Sequence, residues 1–257
     1  MKRDHFLLSA LGVFLLSLVS ACFAQDVKFP PVADLESQVD LFVKDLEKSL
    51  EDAADDFDGM LPAIQRDANS LILIALSLGI TPDANKYKEA APEIIAAAQL
   101  INDAKDLKTA QTIVADIKKS LTGKSADKLD WTKVAAMSPV MKLAVPKINT
   151  KLNTSARSDR YLKRGVENVT GGTAVLAAFA QGLLPNVDET EKKEAKEDWG
   201  KFLTQFRDAA LKANQAAHDY ADGKADFDTF KASYNEMKED CDKCHEVFVA
   251  GGVKTEE

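Results

Sequence analysis

The sequence is poor in cysteine, in histidine and in the residues that break helices. Three cysteines in 257 residues cannot make a disulfide framework, and a chain of this length can bury a sizeable core without one. Glycine and proline number only 12 and 8 and mostly fall where helical patterns break, while alanine, leucine, lysine and acidic residues dominate; an all-α fold is expected. Three histidines leave a short supply of metal ligands. Excess positive charge is also missing: the formal net charge of −8 argues against non-specific binding to nucleic acid or anionic lipid, whose own surfaces are acidic.

A membrane-spanning run is lacking at the N-terminus as well. The apolar stretch Phe6 to Val19, behind Lys2 and Arg3, is too short to cross a bilayer comfortably and reads as the core of an export signal over residues 1–24. No transmembrane span is expected in the mature protein. Cys22-Phe23-Ala24 before Gln25 suits an ordinary signal peptidase, whereas Val19-Ser20-Ala21-Cys22 resembles a lipobox that would leave Cys22 as a lipidated N-terminus; release into the periplasm, or outside the cell, is favoured. His5 leaves with this segment.

Helical periodicity begins near Val32 and continues through Leu35, Val39, Phe42, Val43, Leu46 and Leu50. Further helices are expected over roughly 60–80, 84–104 and 107–122, with Ser125 to Asp130 as a connector. Trp131 to Met137 is expected to form a short helical turn. Ser138-Pro139 reads as an N-cap and first helical residue, opening a helix that Pro146 should kink. A helix over about 158–182 follows, weakened by Gly171 and Gly172, then a stripe through Trp199, Phe202, Phe206, Ala209, Ala213 and Ala217. The last helix places Phe227, Phe230, Tyr234, Met237, Cys241 and Phe248 on one face, with His245 beside them. A faint repeat links Leu71 to Leu78 and Gly79-Ile80-Thr81-Pro82 with Val175 to Gln181 and Gly182-Leu183-Leu184-Pro185. It divides the chain into helical units over about 26–128 and 129–257.

The chemistry concentrates in Cys241-Asp242-Lys243-Cys244-His245. On a helix, thiols three residues apart lie on one side and can add to the two vinyl groups of a haem, while the adjacent imidazole binds iron. Such a pattern arises by chance in about one chain in a thousand of this length. Two other readings use the same residues: a redox disulfide, which wants a βαβ context that is missing, and part of a zinc site, which wants a fourth ligand.

A C-x-x-C-H on the last helix of an apparent four-helix unit resembles the class II c-type cytochromes, the cytochrome c-prime and cytochrome c-556 group. The likeness covers about 129–257 and rests on Cys241, Cys244 and His245, with Phe248 three residues on as a candidate haem wall. It implies an antiparallel four-helix bundle with one covalent haem c, proximal ligation by His245, and electron transfer with a redox partner protein. Family members often carry a basic residue where this chain has Val249, so a mechanism needing that charge is in doubt. The unit over 26–128 has no such motif; a docking unit, a homodimerisation surface and a vestigial bundle are all open to it.

For the other side of the iron, the resemblance implies a methionine in low-spin members and an apolar residue in five-coordinate ones. Met141 is the candidate, with Met137 one turn earlier as the fallback; thioether ligation would raise the reduction potential. Ordinary core packing is the alternative for both, and Met237 reads as packing. His218 reads as solvent-facing near a helix C-terminus, and Lys142, Lys147 and Lys151 as a solvated face that could also attract haem carboxylates. Three alternatives to an electron carrier remain: a five-coordinate module binding nitric oxide or carbon monoxide, a haem peroxidase, for which only His218 offers acid-base chemistry, and a helical interaction protein without haem.

Overall fold

The structure, a computed structural model, describes residues 27–249 apart from 191, 193 and 194. The export segment over 1–24, with His5 and Cys22, lies outside the described residues. Every regular element among the described residues is helical: α1 (Val32–Asp52), α2 (Phe57–Ile80), α3 (Ala91–Gln99), α4 (Leu107–Ser120), α5 (Met137–Pro139), α6 (Val145–Ser155), α7 (Asp159–Gly182), α8 (Lys196–Ala221) and α9 (Phe227–Phe248). A π turn, Val140–Ala144, joins α5 to α6, and 3-10 turns follow α3 (Leu100–Asp103) and α7 (Leu184–Glu189). The chain is the all-α helical bundle that its composition implies.

Local sequence explains three helix starts and several helix faces. Asp56, Asp106 and Asp226 cap α2, α4 and α9, each side chain accepting from the backbone N–H three residues on. In α1 the residues read as its apolar stripe are buried from Leu35 to Leu50, with Val32 at the start partly buried. α2 is different, being buried on every side from Asp67 to Leu78, as expected for a helix apolar all round. By length and composition it could cross a membrane, yet 72% of its most apolar window is buried inside the protein.

In the first set of helices α1 packs on α2, α2 on α3, α3 on α4, and α4 returns to α1, so the ring is closed. In the second set α6 packs on α7, α7 on α8 and α8 on α9. Neighbours run antiparallel, as the pairs Gln181–Arg207 and Thr170–Asn214 across α7 and α8, and Lys212–Glu236 across α8 and α9, require. The ring does not close there: α6 and α9 diverge around a cleft. The sets join through α7, which packs on α1 and α2, and the buried side chains of both form one core. One glycine of α7 serves this closeness: a Cβ at Gly182 would stand 2.6 Å from Cδ2 of the fully buried Leu73 of α2, whereas at Gly171 it would meet only the end of the flexible Gln38 side chain.

Four local expectations need correction. The helix expected over 84–104 begins only at Ala91, because Asn85 and Lys88 donate to backbone carbonyls at the C-terminal end of α2, from Leu78 and Thr81, and hold the chain in turns. Residues 131–136 are not helical. Their backbone groups are taken by distant amides: Gln99 donates to the Val134 carbonyl, Asn186 to that of Ala135, and Asn69 accepts from the Ala136 N–H. Ser138 is not the N-cap, which is Ala136; the Met137 N–H donates instead to Glu189. Pro146 opens α6 directly after the π turn. Lacking an N–H, it cannot continue the α-helical ladder, and the wider turn before it absorbs the mismatch.

Candidate functional site

The cleft between the α5–π–α6 wall and α9 has a volume of about 730 Å³, within the range of small-molecule and cofactor sites. Asp226 starts α9 and its apolar stripe sets the rotation: Phe230, Tyr234, Met237, Cys244 and Phe248 are buried, with Cys241 and His245 half-buried at the edge of the same face. Cys241, Cys244 and His245 therefore all line the cleft from one side. Met137 and Met141 line it from the other, Met141 projecting from the π turn. The structure brings these five sequence-singled residues together, with Phe248 and Met237 beside them.

The end of the cleft near Phe248 is walled by aromatics. Trp199 is fixed by its indole N–H, which is shared between the Leu183 and Leu184 carbonyls at 3.2 Å each, and its ring meets Phe248 edge-on with centroids 5.2 Å apart. Phe202 meets Phe248 from the side at 6.2 Å. Behind this wall a small apolar pocket, lined in part by Phe202, Leu203 and Phe206, reaches Met141 and His245. The mouth is polar: Lys142, Asn149 and Thr150 lie on one side and Lys238 on the other.

The surroundings set the protonation of the donors. Burial pushes the Cys241 thiol up to about 12, with Asp242 and the other thiol adding to the effect, and pushes Cys244 up to about 11. Both are neutral thiols at ordinary pH, unlike the low-pKa thiols of redox dithiols. Burial lowers the His245 pKa, against an opposing pull from Asp242. Its imidazole is thus kept in the neutral form that can donate a nitrogen lone pair to a metal. Among the described residues no three His, Cys, Asp or Glu side chains converge as a metal-binding group, so the zinc reading gains no further ligand.

The other singled-out residues fall elsewhere. His218, read as solvent-facing, is tied through Nε2 to Asp34 of α1 at 2.8 Å, and Asn214 donates to the same carboxylate oxygen; it does not line the cleft. Lys147 is no part of a free face, because Asp45 holds it at 2.7 Å. Of the three lysines only Lys142 reaches the cleft. Lys238 and Asn149 were not singled out from the sequence, whereas Trp199 was read as a possible wall residue; the spacings of three from Cys241 and eight from Met141 are the signal that places Lys238 and Asn149 on the same helix faces. No family model, no curated protein and no solved structure matches this chain.

Proposed function

We propose that this chain is an exported c-type cytochrome carrying one haem, and that it transfers electrons. The observation that carries the reading is the pairing of the Cys241-x-x-Cys244-His245 face with the Met137 and Met141 thioethers across an apolar cleft of cofactor size. The donor set fits the group: two thiols on one helical side, a neutral imidazole next to them and soft sulfur opposite; the charged lining residues are Lys142 and Lys238, with Glu189 and Asp242. A haem bound there supplies reversible one-electron iron chemistry.

The chain's own residues have separate tasks. Cys241 and Cys244 would anchor the group, each thiol adding across a vinyl group so that sulfur bonds one carbon and the proton goes to the other. His245 would hold the iron through a ring nitrogen, with the Met141 thioether facing it from the other wall. Trp199 and Phe248 exclude water, and an apolar surround with thioether ligation raises the potential. Lys142 and Lys238 stand at the mouth, where they can meet the two carboxylates of the cofactor.

The test is a visible spectrum of the protein made in a host competent for haem attachment, with a denaturing gel stained for haem. Six-coordinate low-spin bands and haem that stays with the denatured chain support the reading; a colourless product with two alkylatable thiols ends it. A second reading, a five-coordinate module for nitric oxide or carbon monoxide, draws on the small apolar pocket that reaches Met141 and His245. An optical spectrum left unchanged by Met141→Ala favours it.

A further inference from the structure

Two side chains of α2 take no part in the cleft, yet both reach the segment that forms its free wall. Asp67 and Asn69 are completely buried, in a stretch of helix whose neighbours are mostly apolar. Buried polar groups cost free energy unless they are hydrogen-bonded, and where they are retained they specify an arrangement. Asn69 is used at both ends. Its Nδ2 donates to the Gln65 carbonyl at 2.9 Å and to Asn102 Oδ1 at 2.8 Å, while its Oδ1 accepts from the Ala136 N–H at 2.8 Å. Asp67 binds Arg66 through two nitrogens at 2.7 and 2.6 Å and stands 3.6 Å from Lys147 Nζ, which Asp45 of α1 holds at 2.7 Å, so Asp67 and Asp45 share that lysine.

Ala136 and Lys147 bracket the segment that carries Met137 and Met141. α2 therefore holds that segment on both sides of the π turn, and it also packs directly on α5 and on the turn itself. A π turn is a rare geometry, found mostly as a single turn inside α-helices and frequently at functional sites.

We infer that Asp67 and Asn69 are positioning residues that set where the Met141 thioether stands across the cleft from His245, which gives the first four helices a task in tuning the iron. The inference rests on the haem reading above. Neither residue touches the cleft, so each acts through the backbone or through Lys147.

The experiment compares the haem-loaded full chain with Met141→Ala, Asn69→Ala, Asn69→Asp, Asp67→Asn and Lys147→Gln, reading the weak near-infrared band of thioether-bound ferric iron and the reduction potential. Met141→Ala should abolish the band and lower the potential. Asn69→Ala and Lys147→Gln, at opposite ends of the segment, should each weaken the band and move the potential part of the way in the same direction; Asp67→Asn, which leaves the Lys147–Asp45 pair in place, should do so to a smaller extent, and a parent-like Asp67→Asn removes Asp67 from the inference. Asn69→Asp keeps an oxygen for the Ala136 N–H but turns its other oxygen on the Gln65 and Asn102 carbonyl oxygens, so it too should weaken the band. Where a fully buried substitution does not fold, Lys147→Gln carries the test, since its side chain is one-third exposed. A parent-like band and potential in Asn69→Ala and Lys147→Gln overturns the inference, as does a Met141→Ala protein identical to the parent; both outcomes leave haem attachment standing. Loss of colour in the parent chain is the separate result that removes the haem reading.

Discussion

Tyr234 of α9 donates a hydrogen bond from its phenol to the side-chain carbonyl of Asn153 of α6, tying the two walls at one end of the cleft. Burial, with the Cys241 thiol and the Asp242 carboxylate nearby, pushes the Tyr234 pKa up to about 12. The phenol is a donor across the whole working pH range.

Tyr234→Phe removes this tie while keeping the ring, which lies stacked on Phe230 with centroids 6.1 Å apart. The expected loss is about 0.5–1.5 kcal/mol, towards the lower end because Asn153 is exposed to water. Urea unfolding reads it; a loss several times larger would mean that the phenol does more than bridge the walls.

Gly79 and Gly182, the two glycines of the internal repeat, both stand where helices come close. A Cβ at Gly79 would lie 2.8 Å from the Ala91 Cβ, and one at Gly182 would lie 2.6 Å from Leu73. Each Gly→Ala should gain up to about 1 kcal/mol in helix propensity and lose about 1–3 kcal/mol to overpacking, a net destabilisation measurable as a lower Tm. Stabilisation at both sites would show that the helices can part at no cost.

The start of α9 should be acid-sensitive. Hydrogen bonds from the Thr229 hydroxyl and backbone N–H hold the Asp226 carboxyl below its usual range. A lowered pKa contributes stability above the unfolded value and loses it as pH falls through the folded one. Asp226→Asn, which caps without titrating, should flatten the acid limb of the stability profile. The check is the denaturation midpoint of parent and variant at pH 6 and below pH 3 (roughly one unit under the free carboxylate value); parallel profiles would contradict it.

In chain made without haem attachment, the two thiols should resist alkylation. With Cys244 near 11, about one molecule in a thousand carries that thiolate at pH 8, and Cys241 carries less. Mass spectrometry after iodoacetamide should show little modification of the native chain and rapid double modification in denaturant. Fast native labelling would mean the thiols are less sheltered than their surroundings imply. Because both pKa values are raised, this contribution to stability is complete below the ordinary thiol pKa and fades as pH climbs towards the folded values.

The one-sided patterns were legible in the sequence. The stripe of α1, the face of α9 and the Cys241–His245 motif each obey a short-range period, and the rotation of α9 follows from Phe230, Tyr234, Met237 and Phe248. Met141 was singled out because the resemblance implies a methionine in the first helix of the bundle; the structure places it in the π turn, lining the cleft across from the motif. Less legible was whatever depends on partners far along the chain. Residues 131–136 lose their helical turn to Asn69, Gln99 and Asn186, and His218 is claimed by Asp34 from the other end of the sequence. The π turn was half visible: Pro146 announced a disturbance, but a kink and a widened turn have the same signature in one residue. Nothing local in Asp67 or Asn69 reveals what they hold.

The unfinished circuit of the second helix set leaves α9 with a helical neighbour on one flank, where Trp199 and Phe202 press on Phe248. A helix supported so unevenly opens by itself long before the molecule unfolds. Amide protons over Cys241 to Phe248 should accordingly trade with deuterium far sooner than those in the middle of α7, and a guest lodged beside them should slow that trade more than at any other place in the chain. A guest that filled the slot would in this sense supply the missing fourth side of the wall, and its binding would be read as slower exchange over the C-terminal half.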